Sequence, residues 1–191
     1  MPKLSNQATE QRQRHILNAA TRCFSRLGYH ATTMRHILAE AQLSAGAVYN
    51  YYPSKEVILQ AIAERDLRRN QQAISQLEHQ SDEPIVALVT ILMADLKRLE
   101  LLEQAKMKVC IATEQALNSQ LNSVLEPLQQ AQLAAVTRLL KRPPEQAAAQ
   151  AQLLFLLYFG AVQALAIGQA INYQVLEQQL VQLLNNERLQ R

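Results

Sequence analysis

The sequence predicts an all-α protein, and three observations carry that reading. Leu, Ala and Gln dominate the 191 residues while glycine occurs only four times, a composition that favours helix. Apolar residues recur at three- and four-residue spacing, with no strand-like alternation. Ser, Thr, Gly and Pro punctuate those stretches at helical lengths. Hydrophobic residues make up 49% of the chain, enough for a sizeable core in one domain or in a small plus a larger one.

Residues 1–9 read as a polar arm whose single charge is Lys3. A basic arm can reach a groove of DNA, and a plain tail has the same composition. A first helix is expected over 9–27, where Ile16, Ala19, Ala20, Cys23, Phe24 and Leu27 form one stripe and Gly28 is the C-cap. Residues 29–31 link to a second helix capped by Thr32 or Thr33, with Ile37, Leu38 and Ala41 as its apolar face. Gln42, Leu43 and Ser44 break the pattern, and Ser44 is placed to cap a third helix over 45–52. That helix is small at its start (Ala45, Gly46, Ala47), turns Val48 inward, and continues with Tyr49, Asn50, Tyr51 and Tyr52. Pro53 stops it, and Ser54 can cap a fourth helix running to about residue 77. A helix-turn-helix whose second helix begins with small residues can approach another polymer closely.

In the second half, Ser81 or Asp82 is placed to cap a helix over 84–102, with acids in its first turn to suit the helix dipole. Helices follow over 103–117 and 120–141. Pro127 either kinks the latter or marks its true start near Leu125. Pro143 and Pro144 are a firm stop before a helix over 144–171, and a last helix covers 173–188. The domains expected are a helix-turn-helix domain over 1–56, a connecting helix over 57–80 and a regulatory and dimerisation domain over 81–191.

Charge is unevenly spread. The net charge is +3, yet residues 1–56 hold seven Lys and Arg against three acids, so the basic excess sits with the helix-turn-helix, as phosphate binding requires. Cys23 and Cys110 form no CxxC and no metal spacing, and are expected as reduced thiols in helices of a cytoplasmic protein. The N-terminus has no signal-peptide apolar run. The longest apolar stretch, 153–168, is 16 residues, short of the roughly 20 a membrane span needs.

These segments carry a resemblance. ILNAA at 16–20, FSRLGY at 24–29, TTMRHI at 32–37 and SAGAVYNYYPSKE at 44–56 fall in the order and spacing of the DNA-binding domain of the TetR family of bacterial transcription regulators, which the chain resembles from about residue 12 to 62. Two positions depart from the family pattern. Gln42 stands where glycine is usual in the turn, which implies a positive φ under strain or a different turn. Tyr52 stands where phenylalanine is usual. The resemblance implies phosphate contacts from Thr33, Tyr49, Tyr51 and Lys55, and base-edge contacts from Arg35, Ala45, Ala47 and Asn50, with Ser44 and Gly46 also at the DNA surface. These residue types suit the roles: Arg bonds guanine or phosphate, Asn bonds adenine, and an Ala methyl meets thymine.

The helix over 144–171 is apolar on both faces, so both are expected to be covered. Leu153, Leu157, Gly160, Ala164 and Gly168 share one side, whose small residues admit a close helix. Together with Leu176, Leu180 and Leu184 of the last helix, this side is expected to form a homodimer interface of four-helix-bundle type. A dimer and a DNA-reading helix require each other, because two copies read a pseudo-palindrome. The resemblance further implies a small-molecule pocket in the second domain. Met93, Met107, Cys110, Phe155, Tyr158, Phe159 and Val162 are candidates for its lining, with Glu114 and Gln163 as polar handles. Plain core is the competing role for each. Glu114 in a pocket would favour a cationic or hydrogen-bonding ligand; on an exposed helix face it would do nothing.

His15, His30, His36 and His79 are scattered, and no HExxH, GxSxG or glycine-rich phosphate loop occurs. No catalytic activity, metal or cofactor is therefore expected. The function that fits is a repressor binding a pseudo-palindromic double-stranded operator as a homodimer, released by a small apolar or cationic ligand. The rival is a helical module of the same fold acting mainly through a protein partner.

Overall fold

The computed structural model describes residues 6–80, 83–101 and 104–185. Among them the chain is helical throughout, in the order α1 (Asn6–Leu27), α2 (Met34–Ala41), α3 (Ala45–Tyr49), α4 (Lys55–Gln80), α5 (Pro84–Leu101), α6 (Ala105–Leu117), α7 (Ser119–Leu139), α8 (Pro144–Ala166) and α9 (Tyr173–Asn185). The start of the N-terminal arm, the cap expected from Ser81 or Asp82, the 102–103 junction and the end of the last helix lie outside the described residues.

The caps are local chemistry. Thr33 accepts from the His36 amide at 3.3 Å while the His36 ring accepts from the Thr33 amide, a reciprocal capping box. Ser44 accepts from the Ala47 amide at 3.4 Å and Ser54 from the Val57 amide at 3.4 Å. Gln42 takes the left-handed conformation, φ 53°. Its amide and that of Leu43 bond back to the carbonyls of Ala39 and Leu38, so a glycine-type helix ending is built on a residue with a Cβ. Pro127 lies inside a continuous α7. α3 is shorter than expected: it ends at Tyr49, and Asn50 and Tyr51 continue as a turn in which the Tyr51 and Tyr52 amides both donate to the Val48 carbonyl, with Pro53 unable to extend it.

α8 also ends early. Gly168 adopts φ 80°, its amide bonds to Leu165 and that of Gln169 to Ala164, so Gly168 terminates the helix rather than extending its small-residue side. With 23 residues, α8 is nonetheless long and apolar enough to cross a membrane by length and composition. That corrects the expectation drawn from the 16 residues of 153–168, which contain Gln163 and leave out the glutamine-bearing turns before them.

Two cores organise the molecule. The first gathers Ile16, Ala20 and Phe24 of α1, Ile37 of α2, Val48 of α3, and Ile58, Leu59 and Ile62 of α4 around contacts from Met107, Leu121 and Leu125. α6 and α7 therefore seat the helix-turn-helix on the second half. The second core holds Leu88, Met93, Leu96 and Leu99 of α5 against Val136 and Leu139 of α7, Ala151, Leu154 and Val162 of α8, and Leu180 and Leu184 of α9. Leu180 and Leu184, expected at a dimer interface, thus point into their own subunit, 5% and 1% exposed. α9 packs its leucines on α5 because they are its one strongly apolar stripe.

Candidate nucleic-acid interface and interior cavity

The helix-turn-helix is braced from below. Glu40 of α2 accepts from Arg22 at 2.7 Å and from Arg26 at 3.3 Å, both on α1. The hydrogen bond from Arg22, followed by the charges of both arginines, holds the Glu40 carboxyl below its usual range. His15 reaches the Ala41 carbonyl at 2.8 Å. Val48, fully buried, and Tyr52, 6% exposed, anchor α3 from beneath. The opposite face of α3 presents Ala45, Gly46, Tyr49 and Asn50 to solvent, with Ala47 half-buried beside them. Arg35 and Thr33 are exposed at the start of α2, and Ser44 at the start of α3. The Thr33 and Ser44 oxygens are occupied as helix caps. Tyr51 is half-buried against the first core.

Lys55 departs from its expected role. Its ammonium donates to the carbonyls of Tyr29, Thr32 and His30 at 2.9, 3.0 and 3.2 Å and lies 4.5 Å from the centroid of the Tyr29 ring. Three protons meet three carbonyls, so Lys55 fastens the α1–α2 turn to α4 and is not aimed outward at a phosphate. Glu40, Arg22 and Arg26 were not foreseen. An acid at the end of α2 facing two arginines one turn apart on α1 was the available signal.

In the second half, a cavity of about 530 Å³ opens between α4, α5, α7 and α8, a size typical of small-molecule sites. Leu67, Ile74, Leu92, Leu133 and Val136 give it an apolar wall together with Phe155, Tyr158 and Phe159. Of the expected lining, those three aromatics reach it. Met93 and Val162 lie in the packed second core, and Met107 and Cys110 join the first core. Gln163 is exposed on α8. Glu114 is also elsewhere, pairing with His30 of the helix-turn-helix at 2.9 Å. Helical spacing places Met107, Cys110 and Glu114 on one face of α6 without saying which core it meets; that face turns to the first core, while Ala105 and Val109 meet the second. Burial, then the Glu114 charge, pushes the Cys110 thiol up to about 11, which suits an unreactive group.

The polar end of the cavity is Asp95, unforeseen although it interrupts the apolar run of α5. Its carboxylate accepts from Arg98 at 2.8 Å, from Arg69 at 3.1 Å and from the Tyr158 hydroxyl, with Lys108 at 3.4 Å. Burial alone would raise its pKa, but the Lys108 charge, the Tyr158 hydroxyl and Arg98 overcome this and hold it at about 2. Burial, followed by the Asp95 charge, keeps the Tyr158 phenol protonated. Three cations thus converge on one satisfied carboxylate, leaving no free acid for a cationic ligand.

On the outer side of α8, Leu157 is 39% and Phe159 44% exposed. Gly160 is exposed as well, while Leu153 and Ala164 are half-buried. Phe159, expected to face inward with Tyr158, lies at the rim. Leu176 of α9 packs against the second core.

Residues 16–62 match the family profile described as "Bacterial regulatory proteins, tetR family". Over those residues the chain is similar to TetR-family regulators. Over 69 residues it is 35% identical to an HTH-type transcriptional repressor of Mycobacterium tuberculosis, covering 36% of this chain and 37% of that protein. Over 76 residues it is 32% identical to the HTH-type transcriptional repressor AcnR of Corynebacterium diphtheriae, 40% of each chain. The match therefore spans about two fifths of the length of these curated relatives. Solved structures extend the likeness to the whole fold. GusR of Salmonella enterica superposes with a TM-score of 0.72 at 21% identity, over 96% of this chain and 98% of that one. The fatty acid degradation regulator FadR of Bacillus halodurans gives 0.74 at 19%, over 98% and 99%. FadR of Bacillus subtilis, solved in complex with stearoyl-CoA, gives 0.72 at 17%, over 90% and 96%. The expected TetR-family resemblance and all-α fold are both found.

Proposed function

We propose that this chain is a TetR-family DNA-binding transcription regulator, acting as a homodimeric repressor that a small molecule releases from its operator. The observation that carries the DNA reading is the outer face of α3. It is clamped from below by Val48 and Tyr52, capped by Ser44, and small where it would enter a groove. Arg35, Ala45, Ala47 and Asn50 are assigned to base edges, and Thr33, Tyr49 and Tyr51 to phosphates. Ser44 and Gly46 keep the start of α3 close to the duplex, while Lys55 holds the turn that presents α2. The domain boundaries at 56 and 80 belong to this reading, with α4 carrying movement between the two halves.

The ligand is assigned to the cavity beside Asp95. Its walls suit an apolar molecule, and the three cations around a satisfied carboxylate suit a neutral or acidic head rather than a cationic one. Release follows if the ligand binds better to the conformation with the wrong separation of the two α3 helices.

Gly46→Leu tests the DNA reading. Nothing lies within 4 Å of a Cβ added at Gly46, so the variant retains its fold by circular dichroism. On labelled duplex DNA at fixed salt, its affinity is expected to fall at least about 30-fold, some 2 kcal/mol. Unchanged affinity would remove α3 from the interface.

A further inference from the structure

α8 is covered on one side only. It is the most membrane-like helix of the described residues by apolarity, yet only 22% of its most apolar window is buried. Its outer stripe runs through Gln152, Leu156, Phe159, Gly160 and Ile167, with Leu156 71% and Ile167 66% exposed. No Lys, Arg, Asp or Glu occurs anywhere over 146–176.

A stripe of this kind suits a second copy of itself. In a two-fold contact each residue meets the same surface, so like charges would oppose one another, and here there are none. Gly160, with nothing within 4 Å of an added Cβ, lies at the middle of the stripe and leaves space for an approaching helix. Without a partner, Leu156, Phe159 and Ile167 would stand together in water.

The same stripe is also the edge of the cavity. Gln152, Leu156 and Phe159 recur at i, i+4 and i+7, and all three line the opening beside Asp95. Resting on the homodimer reading above, we infer that the ligand cavity is completed by the partner subunit, whose α8 stripe closes the side rimmed by Leu156 and Phe159. Ligand binding and α8 pairing are then one event. A ligand seated against Phe155 touches both subunits and so senses their relative position. The ligand class this favours is an apolar molecule long enough to reach from the Asp95 end to the α8 rim.

The chain contains no tryptophan, so Phe155→Trp places a single fluorescent reporter on the cavity wall. Ile167→Glu puts a charge on the stripe without touching a cavity residue. In the dimeric Phe155→Trp protein, quenching by acrylamide is expected to be weak. In the double variant, monomeric by sedimentation and helical by circular dichroism, the quenching constant is expected to rise about threefold as the cavity opens to water. A monomer with unchanged quenching would overturn the shared cavity and leave the dimer reading standing. A double variant that remains dimeric would overturn the α8 interface and this inference with it. If Ile167→Glu fails to fold, diluting Phe155→Trp through its dissociation range decides the matter. Quenching must track the loss of dimer, and quenching independent of dilution overturns the inference.

Discussion

The His30 imidazole lies 2.9 Å from the Glu114 carboxylate, across the junction between the helix-turn-helix and α6. His30 occupies the same turn that Lys55 fastens to α4. One turn therefore answers to both α4 and α6, the two helices through which movement in the second half would reach α2 and α3.

Glu114→Ala removes one of those ties. The pair is half in solvent, so the expected loss is about 0.5–1 kcal/mol, read as a lower urea midpoint with an unchanged slope. Lys55→Met removes the other and strands three carbonyls. Its expected loss is larger, about 1–3 kcal/mol, and equal midpoints for the two variants would contradict the anchoring role of Lys55.

Gln42→Gly addresses the turn. A residue with a Cβ at φ 53° pays a steric penalty that glycine does not. Glycine gains more freedom in the unfolded chain, which offsets part of the benefit. A net gain of about 0.5–1 kcal/mol is expected, seen as a melting temperature higher by a few degrees. A lower one would mean that the Gln42 side chain supports the turn.

Asp95 sets an acid limit. Its carboxyl sits at about 2 when folded, below the ordinary 3.8. The folded state therefore binds this proton more weakly than the unfolded one. The stabilisation is fully present above about pH 4 and is lost as pH falls towards 2, amounting to about 2 kcal/mol. Asp95→Asn should be less stable at pH 7, with a shallower fall between pH 4 and 2. Parallel curves for the two proteins would show that Asp95 is not held by its cations.

The helix-turn-helix was legible because its signals are local. Thr33, Ser44, Ser54 and Gly28 act on neighbours within four residues, and Val48 is the one inward position α3 offers. The stop at Gly168 was not legible. A glycine four residues after Ala164 fits a small-residue stripe as well as a helix end, and only the backbone bonds of Gly168 and Gln169 distinguish them. Leu180 and Leu184 show a similar limit: spacing places them on one side of α9 without saying whether that side meets α5 or another subunit. The cavity was half legible. Phe155 and Tyr158 were found from their helix face, but Asp95 draws Arg69, Arg98 and Lys108 from three helices, a convergence that only the folded chain brings about.

The central claim is that two copies of α3 read DNA together. Selection of bound sequences from a random duplex pool at stated salt tests it most directly, because phosphate-dominated affinity varies steeply with salt. The expected result is an enriched inverted repeat whose half-site centres lie about one helical turn apart, or a multiple of it. Salt-sensitive binding with no enriched sequence, or enrichment of a single unrepeated half-site, would contradict it.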